Sequence, residues 1–327
     1  MKGTVHTFIY FLKAKISALI VALVMFCGFN TQAQQDPQFT MFMFNQQYFN
    51  PAFAGSVDFL NVTMFYRRQW VGIDGSPSNP QFSGTLPMKR KHMAVGLNLL
   101  NDEIGITGMS NFNAVYSYYV NIGQGRLCFG LSAGLLQTRM NYDALNDQQL
   151  KSDQSFTGYR PNYQPDFGFG VYYKSQRMFA GISSQHLTSP SRKFTDYGRA
   201  AVARHYYITA GYNIEMNEKF VLTPMIISRF SESQVFTRNF NADFVLKVEY
   251  MEMVWLGSSY RTGDALNFFV GLNVGKIKSD AFKQPIKIGY GFDWTNSRVP
   301  TFNNGTHEIF VSWDFVPKVK RMMPKFK

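Results

Sequence analysis

Cysteine is almost missing from this chain of 327 residues, which holds only Cys27 and Cys128. Residues 1–33 read as a cleavable secretory leader that contains Cys27, so the mature chain keeps Cys128 alone. An internal disulfide is therefore impossible and a disulfide-framed secreted scaffold is excluded. After residue 33 no apolar run approaches the roughly 20 residues that a helix needs to cross a bilayer, which excludes a helical membrane protein. Charged side chains make up only 17% of the chain. Linkers, low-complexity tracts and repeats at a solenoid or propeller period are also lacking, so one domain fills the mature chain.

The leader is recognised by Lys2, Lys13 and Lys15, an apolar core from Ile16 to Phe29, and small or polar residues up to Ala33. Its core of about 14 residues is too short to span as a helix, and cleavage is expected before Gln34. The net charge of +12 includes those lysines and a basic tail with Lys318, Lys320, Arg321, Lys325 and Lys327. Because this charge lies at ends and in loops, it does not form the basic face of a nucleic-acid reader. Anionic lipid headgroups or an acidic periplasmic partner suit the tail better.

Aromatics and glycine are plentiful, and they fall into alternating patterns. Leu127, Phe129, Leu131, Ala133 and Leu135 oppose Cys128, Gly130, Ser132 and Gly134, and the same period recurs over 266–275, 286–294 and 308–315. Period two with one apolar face predicts strands. The segments are long enough to cross an outer membrane at a tilt, which needs about 9–11 residues. Aromatics at their ends, among them Tyr66, Trp70, Tyr116, Trp255 and Trp294, suit interfacial girdles.

Alternating segments begin near residues 60, 80, 91, 109, 126, 165, 176, 204, 218, 238, 252, 265, 284 and 305. The expected fold is all-β: a transmembrane antiparallel β-barrel of about 14 strands, an even number that closes without an edge. The polar insertions 140–164 and 187–203 are expected on the cell-surface side, with both termini in the periplasm. The expected division is leader 1–33, an N-terminal segment 34–58 at the periplasmic mouth or in the lumen, barrel 59–316, and basic periplasmic tail 317–327.

Chemistry of an enzyme is hard to find. The five histidines, His6, His92, His186, His205 and His307, lie at no metal-ligand spacing in the sequence, so no metal and no cofactor are expected. Gly130-Leu-Ser-Ala-Gly134 matches the pattern of a serine nucleophile elbow but sits in mid-strand, where the required sharp turn cannot form. His186 and Asp196 flank one insertion without completing a catalytic constellation. Inward-facing Lys247, Glu249, Lys287, Asp293, Glu308 and Asp314 are expected to pair with one another or with Arg67 or Arg68, more than to line a conducting pore.

The stretch Gln34–Ser56, QQDPQFTMFMFNQQYFNPAFAGS, fits neither a helix nor a spanning strand. Asp36-Pro37 and Asn50-Pro51 break regular structure, while Phe39, Phe42, Phe44, Tyr48 and Phe49 require burial. It must dock against the barrel, either as part of a partner-binding surface or as a plug that only stabilises. Asp36, Pro37, Phe39, Phe44, Asn45, Tyr48, Phe49, Asn50 and Pro51 are the candidate residues, joined by Arg68 and Trp70 at the end of the first strand and by Lys318, Lys320 and Arg321 in the tail.

This opening stretch resembles the N-terminal signature of the PorP/SprF family, outer-membrane components of the type IX secretion system. The resemblance continues through Arg68-Gln-Trp-Val-Gly-Ile-Asp-Gly75, Gly96 to Gly105, Asp166-Phe-Gly-Phe-Gly170, Arg204-His-Tyr-Tyr, Asn241-Ala-Asp243, Tyr260-Arg261 and Gly289-Tyr-Gly291-Phe-Asp293. It implies a non-enzymatic integral barrel of the Gram-negative outer membrane that contacts lipid and the periplasmic ring lipoproteins. It also implies support for secretion or surface attachment of cargo such as large adhesins, including those of gliding motility. The competing function is a substrate-specific channel or receptor for a small molecule.

Overall fold

The computed structural model describes residues 36–141, 159–188, 191–193, 199–231, 241–277, 285–295 and 304–316. Strands dominate. They are β1 Leu60–Arg68, β2 Ser78–Met88, β3 Met93–Ile104, β4 Thr107–Ile122, β5 Gly125–Asn141, β6 Tyr159–Lys174 and β7 Met178–Gln185. The second half of the wall comprises β8 His205–Tyr212, β9 Phe220–Ser231, β10 Asn241–Tyr250, β11 Val254–Arg261, β12 Ala265–Asn273, β13 Ile286–Thr295 and β14 Thr306–Phe315. Each pairs antiparallel with its sequence neighbours, and β1 pairs with β14 from Leu60↔Phe315 to Arg68↔His307. The meander thus closes as the expected 14-stranded antiparallel barrel. Two short strands, Ser191–Lys193 and Arg199–Ala201, form a separate ribbon in the long β7–β8 connection.

Alternation fixes the two faces of the wall. Met64, Leu131, Ile182, Leu256, Val270 and Val311 are exposed on the outer surface. Their neighbours Thr63, Ser132, Ser183, Phe269 and Ser312 are buried inside. An apolar exterior and a mainly polar interior are what lipid and a closed lumen require. No helix among the described residues is long and apolar enough to cross a membrane.

The strand starts differ from expectation mainly at β6, which begins at Tyr159 instead of near 165. The end of the expected insertion 140–164 is thus wall, with Pro161 and Pro165 opposite Arg139 and Leu135 of β5. Strands β4, β5 and β6 run 16, 17 and 16 residues, beyond what a membrane crossing needs, and so project past one rim. That rim carries the long connections after β1, β5 and β7. The other carries mostly short turns such as that at 123–124, with one longer connection over 274–285.

Inside the wall lies the N-terminal segment, folded into short turns: Phe42–Phe44, Gln46–Phe49 and Pro51–Ser56. Asn50 caps the last of these by accepting a hydrogen bond from the Ala52 amide at 3.0 Å, with Pro51 in the first helical position where its missing N–H costs nothing. Phe39, Met41, Phe42 and Phe49 are buried against Phe65, Tyr207, Ile227, Trp255, Phe269 and Phe310 of the wall. The segment spans the height of the lumen. Asp36 meets His186 and His205 at the long-loop rim, whereas Asp58 pairs with Arg126 and Lys89 at the short-turn rim.

Glycines in the wall make room for this segment. A Cβ on Gly130 would overlap the backbone of Pro51 and Ala52, and one on Gly170 would overlap the Asn50 side chain. The Gly130–Gly134 pattern is therefore a packing surface in the middle of β5. Gly130→Leu is expected to destabilise the barrel by about 1–3 kcal/mol through overpacking. A lowered midpoint in heat-dependent gel mobility of the detergent-solubilised protein checks this, and an unchanged midpoint would show that the segment does not press on β5.

Candidate functional site

The functional residues converge on the contact between the N-terminal segment and the wall. At the long-loop rim, Arg67 of β1 donates to Asp293 of β13 at 2.6 Å, to Glu308 of β14 at 3.1 Å and to Thr40 Oγ1 at 2.9 Å. Glu308 in turn accepts from the backbone amides of Thr40 at 2.8 Å and Met41 at 2.7 Å. Arg261 reaches both Asp293 and Asp243, and Arg229 donates to Asp243 at 2.9 Å. Three arginines and three carboxylates thus alternate around one side of the lumen, all nearly excluded from solvent. Pairing satisfies charges that would be prohibitively costly if left alone at this depth.

Lower in the lumen the recognition is through amides. Asn45 donates to Gln81 at 2.5 Å and accepts from Ser83 at 2.9 Å, while Gln47 bonds Thr85, the carbonyls of Gly84 and Leu97, and Asn98. Asn50 donates to the carbonyls of Val171 and Ile182, and the Phe49 carbonyl accepts from Ser183 and Gln185. Ser117 of β4 donates to the Ala52 carbonyl at 3.2 Å. The segment is gripped from every side of the wall.

A second titratable cluster surrounds Asp36. Its carboxylate lies 3.2 Å from His186 Nε2 and accepts from the Tyr207 hydroxyl at 2.6 Å. His186 Nδ1 faces Asp166 at 3.0 Å, and His205 Nδ1 stands 3.5 Å from Asp36. Burial opposes the charged form of Asp36, but the imidazoles of His205 and His186 and the hydrogen bonds outweigh it and hold this carboxyl well below the usual range. Burial likewise works against protonated His186, and Asp36 and Asp166 overturn it, raising its pKa to about 10.

The residues singled out in the sequence fall into three places. Asp36, Pro37, Phe39, Asn45, Phe49, Asn50 and Pro51 are buried in the lumen. Phe44 and Tyr48 are partly buried there, with Phe44 stacked on Phe310 at 4.6 Å and lying 4.9 Å from Trp255. Arg68 and Trp70 are elsewhere: Arg68 is exposed on the outer face of β1, and Trp70 sits in the following loop, half-buried, with its amide 3.3 Å from Thr306 Oγ1. Lys318, Lys320, Arg321 and Asp196 lie outside the described residues. Of the inward charges, Lys247 pairs with Glu249 and Lys287 with Asp314, as expected, and Arg67 is the arginine that meets Asp293.

Sequence reasoning missed the convergence of His186, His205, Tyr207 and Asp166 on Asp36, and the roles of Arg229, Arg261 and Asp243. A signal was present. Asp166, His205, Asp243, Arg261 and Asp293 each lie within a block on which the family resemblance rests, and each faces the lumen.

Comparison with known proteins gives the family. The model described as type IX secretion system membrane protein PorP/SprF matches residues 31–313. This chain belongs to that family. It is thus an integral outer-membrane β-barrel component of the type IX secretion system, in a family of secretion-system membrane components. No curated protein matches the chain. Similar solved structures include a Pseudomonas aeruginosa FadL homologue, 11% identical, with a TM-score of 0.43 over 86% of this chain and 95% of that one. The TodX deltaS2S3 mutant monoaromatic hydrocarbon channel is 13% identical, with a TM-score of 0.43 over 83% of this chain and 94% of that one. Omp33 of Acinetobacter baumannii is 8% identical, with a TM-score of 0.44 over 80% and 100%.

The Arg67 cluster makes a sharp expectation for this PorP/SprF protein. Arg67→Met leaves Glu308 without its cation and should cost about 3–5 kcal/mol. Adding Glu308→Met should recover part of that loss, because an apolar pair tolerates burial better than a lone carboxylate. Thermal unfolding of the single and double variants in detergent measures the coupling; additive losses would show that the pair does not hold the seam.

Proposed function

We propose that this barrel supports the export or surface attachment of type IX cargo, such as large adhesins, including those used in gliding motility. It does so as a non-enzymatic subunit that contacts periplasmic ring lipoproteins. The observation that carries the reading is the N-terminal segment itself, which occupies the lumen, is hydrogen-bonded to strands among β1–β4, β6–β8, β13 and β14, and packs on apolar side chains of β9–β12. A barrel occupied by its own chain has its free surfaces at the two rims, where partners can dock. A lumen tied up in this way leaves little room for free diffusion of a small solute.

Within this reading the short-turn rim faces the periplasm, following the rule that outer-membrane barrels keep their tight turns there. β14 ends at that rim, and the basic tail with Lys318, Lys320 and Arg321, which lies outside the described residues, is proposed to meet the ring lipoproteins there. The path of residues 36–58 brings Asp36 to the opposite rim, so of the two ends expected in the periplasm only the C-terminal one is proposed there. Phe39, Phe49, Asn50 and Pro51 act as a plug that holds the rims in shape. Partner contact falls to surface groups such as Arg68 and Trp70.

Deleting the chain in its native host and comparing surface and secreted proteomes with a complemented strain tests the proposal. Loss of many cargo proteins identifies a general export subunit, and loss of one large adhesin a dedicated partner. An unchanged profile, or large stable conductance steps from the purified protein in planar bilayers, would favour the channel instead.

A further inference from the structure

The lumen of this barrel holds one group of side chains whose chemistry exceeds what a plug needs. Asp36, His186 and His205 are all buried, and each offers a ligand atom within 4.8 Å of the others. They come from three separate parts of the chain: the N-terminal segment, the end of β7 and the start of β8. We propose that they form a binding site for a divalent transition metal of the zinc class, joining the N-terminal segment to the wall.

The separations suit such an ion. His186 Nε2 lies 3.2 Å from both Asp36 carboxylate oxygens, and His205 Nδ1 lies 3.5 Å from Asp36 Oδ2. Zinc bonds of about 2.0–2.1 Å in a tetrahedron put neighbouring ligand atoms roughly 3.3 Å apart. The supporting contacts are those of a metal-binding histidine. Asp166 Oδ1 faces His186 Nδ1 at 3.0 Å, which fixes the proton there and leaves Nε2 as the ligand. Asp166 Oδ2 is itself held by Asn111 at 3.1 Å and Asn113 at 3.3 Å, and Tyr207 orients Asp36.

Two further observations point to a ligand. His205 Nδ1 is buried and has no hydrogen-bond partner, although it is aimed at the Asp36 carboxylate. A cavity of about 10 Å³ beside Asp36 and His186, bordered also by Asn111, Asn113 and Tyr207 but not by His205, has room for one water. Coordination through His205 Nδ1 puts the ring proton on Nε2, giving up the long 3.4 Å bond from the Asp36 amide. Binding also displaces a proton from His186. Two carboxylates and two neutral imidazoles around one dication make a neutral group.

The mature chain, folded in detergent micelles and stripped with chelator, is titrated with cobalt(II) and then zinc(II). The expected result is one equivalent of cobalt with visible bands of tetrahedral coordination, displaced by zinc, and a thermal midpoint raised by zinc. His205→Gln keeps the bridge from Asp36 through His186 to Asp166, so the barrel should fold, as heat-dependent gel mobility reports, while affinity falls at least about 10-fold. Asp166→Asn should weaken binding by about 10–100-fold. Wild-type protein that takes up no metal, or folded His205→Gln that binds as tightly as wild type, would overturn the site and leave the cluster as a proton-held lock.

Discussion

The pairing of Arg67 with Asp293 and Glu308 is the interaction on which the rest of the barrel depends. It joins the first strand to the last two, and Glu308 also receives the amides of Thr40 and Met41. Closure of the wall and placement of the N-terminal segment are therefore coupled. Breaking either leaves charges in a lumen with little water to solvate them. The electrostatics that seal the seam also dictate what fills the barrel.

Polar wall residues extend the same logic. A barrel of this size has more inward positions than its own side chains can fill, and small residues such as Gly130, Gly170, Ser117 and Ser132 leave more room still. The N-terminal segment takes that space with aromatic rings where the wall is apolar and with Asn45, Gln47 and Asn50 where it presents carbonyls and amides. Specificity comes from the amides. An apolar plug of the same volume would fill the space but would leave Gln81, Asn98 and the carbonyls of Val171 and Ile182 without partners.

Much of this was legible in the residues. Period-two alternation reports the faces of every strand whatever the surrounding structure, so strand number and direction followed from patterns such as 127–135 and 286–294. The need of Phe39 and Phe49 for burial was equally plain. What could not be read was contact between distant positions. Thr40 meets Glu308 across 268 residues and Asp36 meets Tyr207 across 171, and no local spacing encodes either. His186 and His205 look isolated because a long connection separates them, yet β7 and β8 are neighbours, with Gln185 opposite His205. The early start of β6 at Tyr159 was hidden in a polar stretch, where Pro161 and Pro165 hold wall positions because a strand tolerates proline wherever the ladder asks for no N–H.

The path of residues 36–58 has a consequence for how the molecule is made. A segment that enters at one rim and leaves at the other cannot be inserted sideways into a finished cylinder. Either it lies on the sheet while the first and last strands are still apart and is trapped by their union, or it threads the closed barrel end-on, giving up water for wall contacts turn by turn. Once sealed, the thread can leave only by sliding lengthwise past its hydrogen bonds or by reopening the seam. Force applied to the chain at the long-loop rim would therefore be felt directly at the join between the first and last staves.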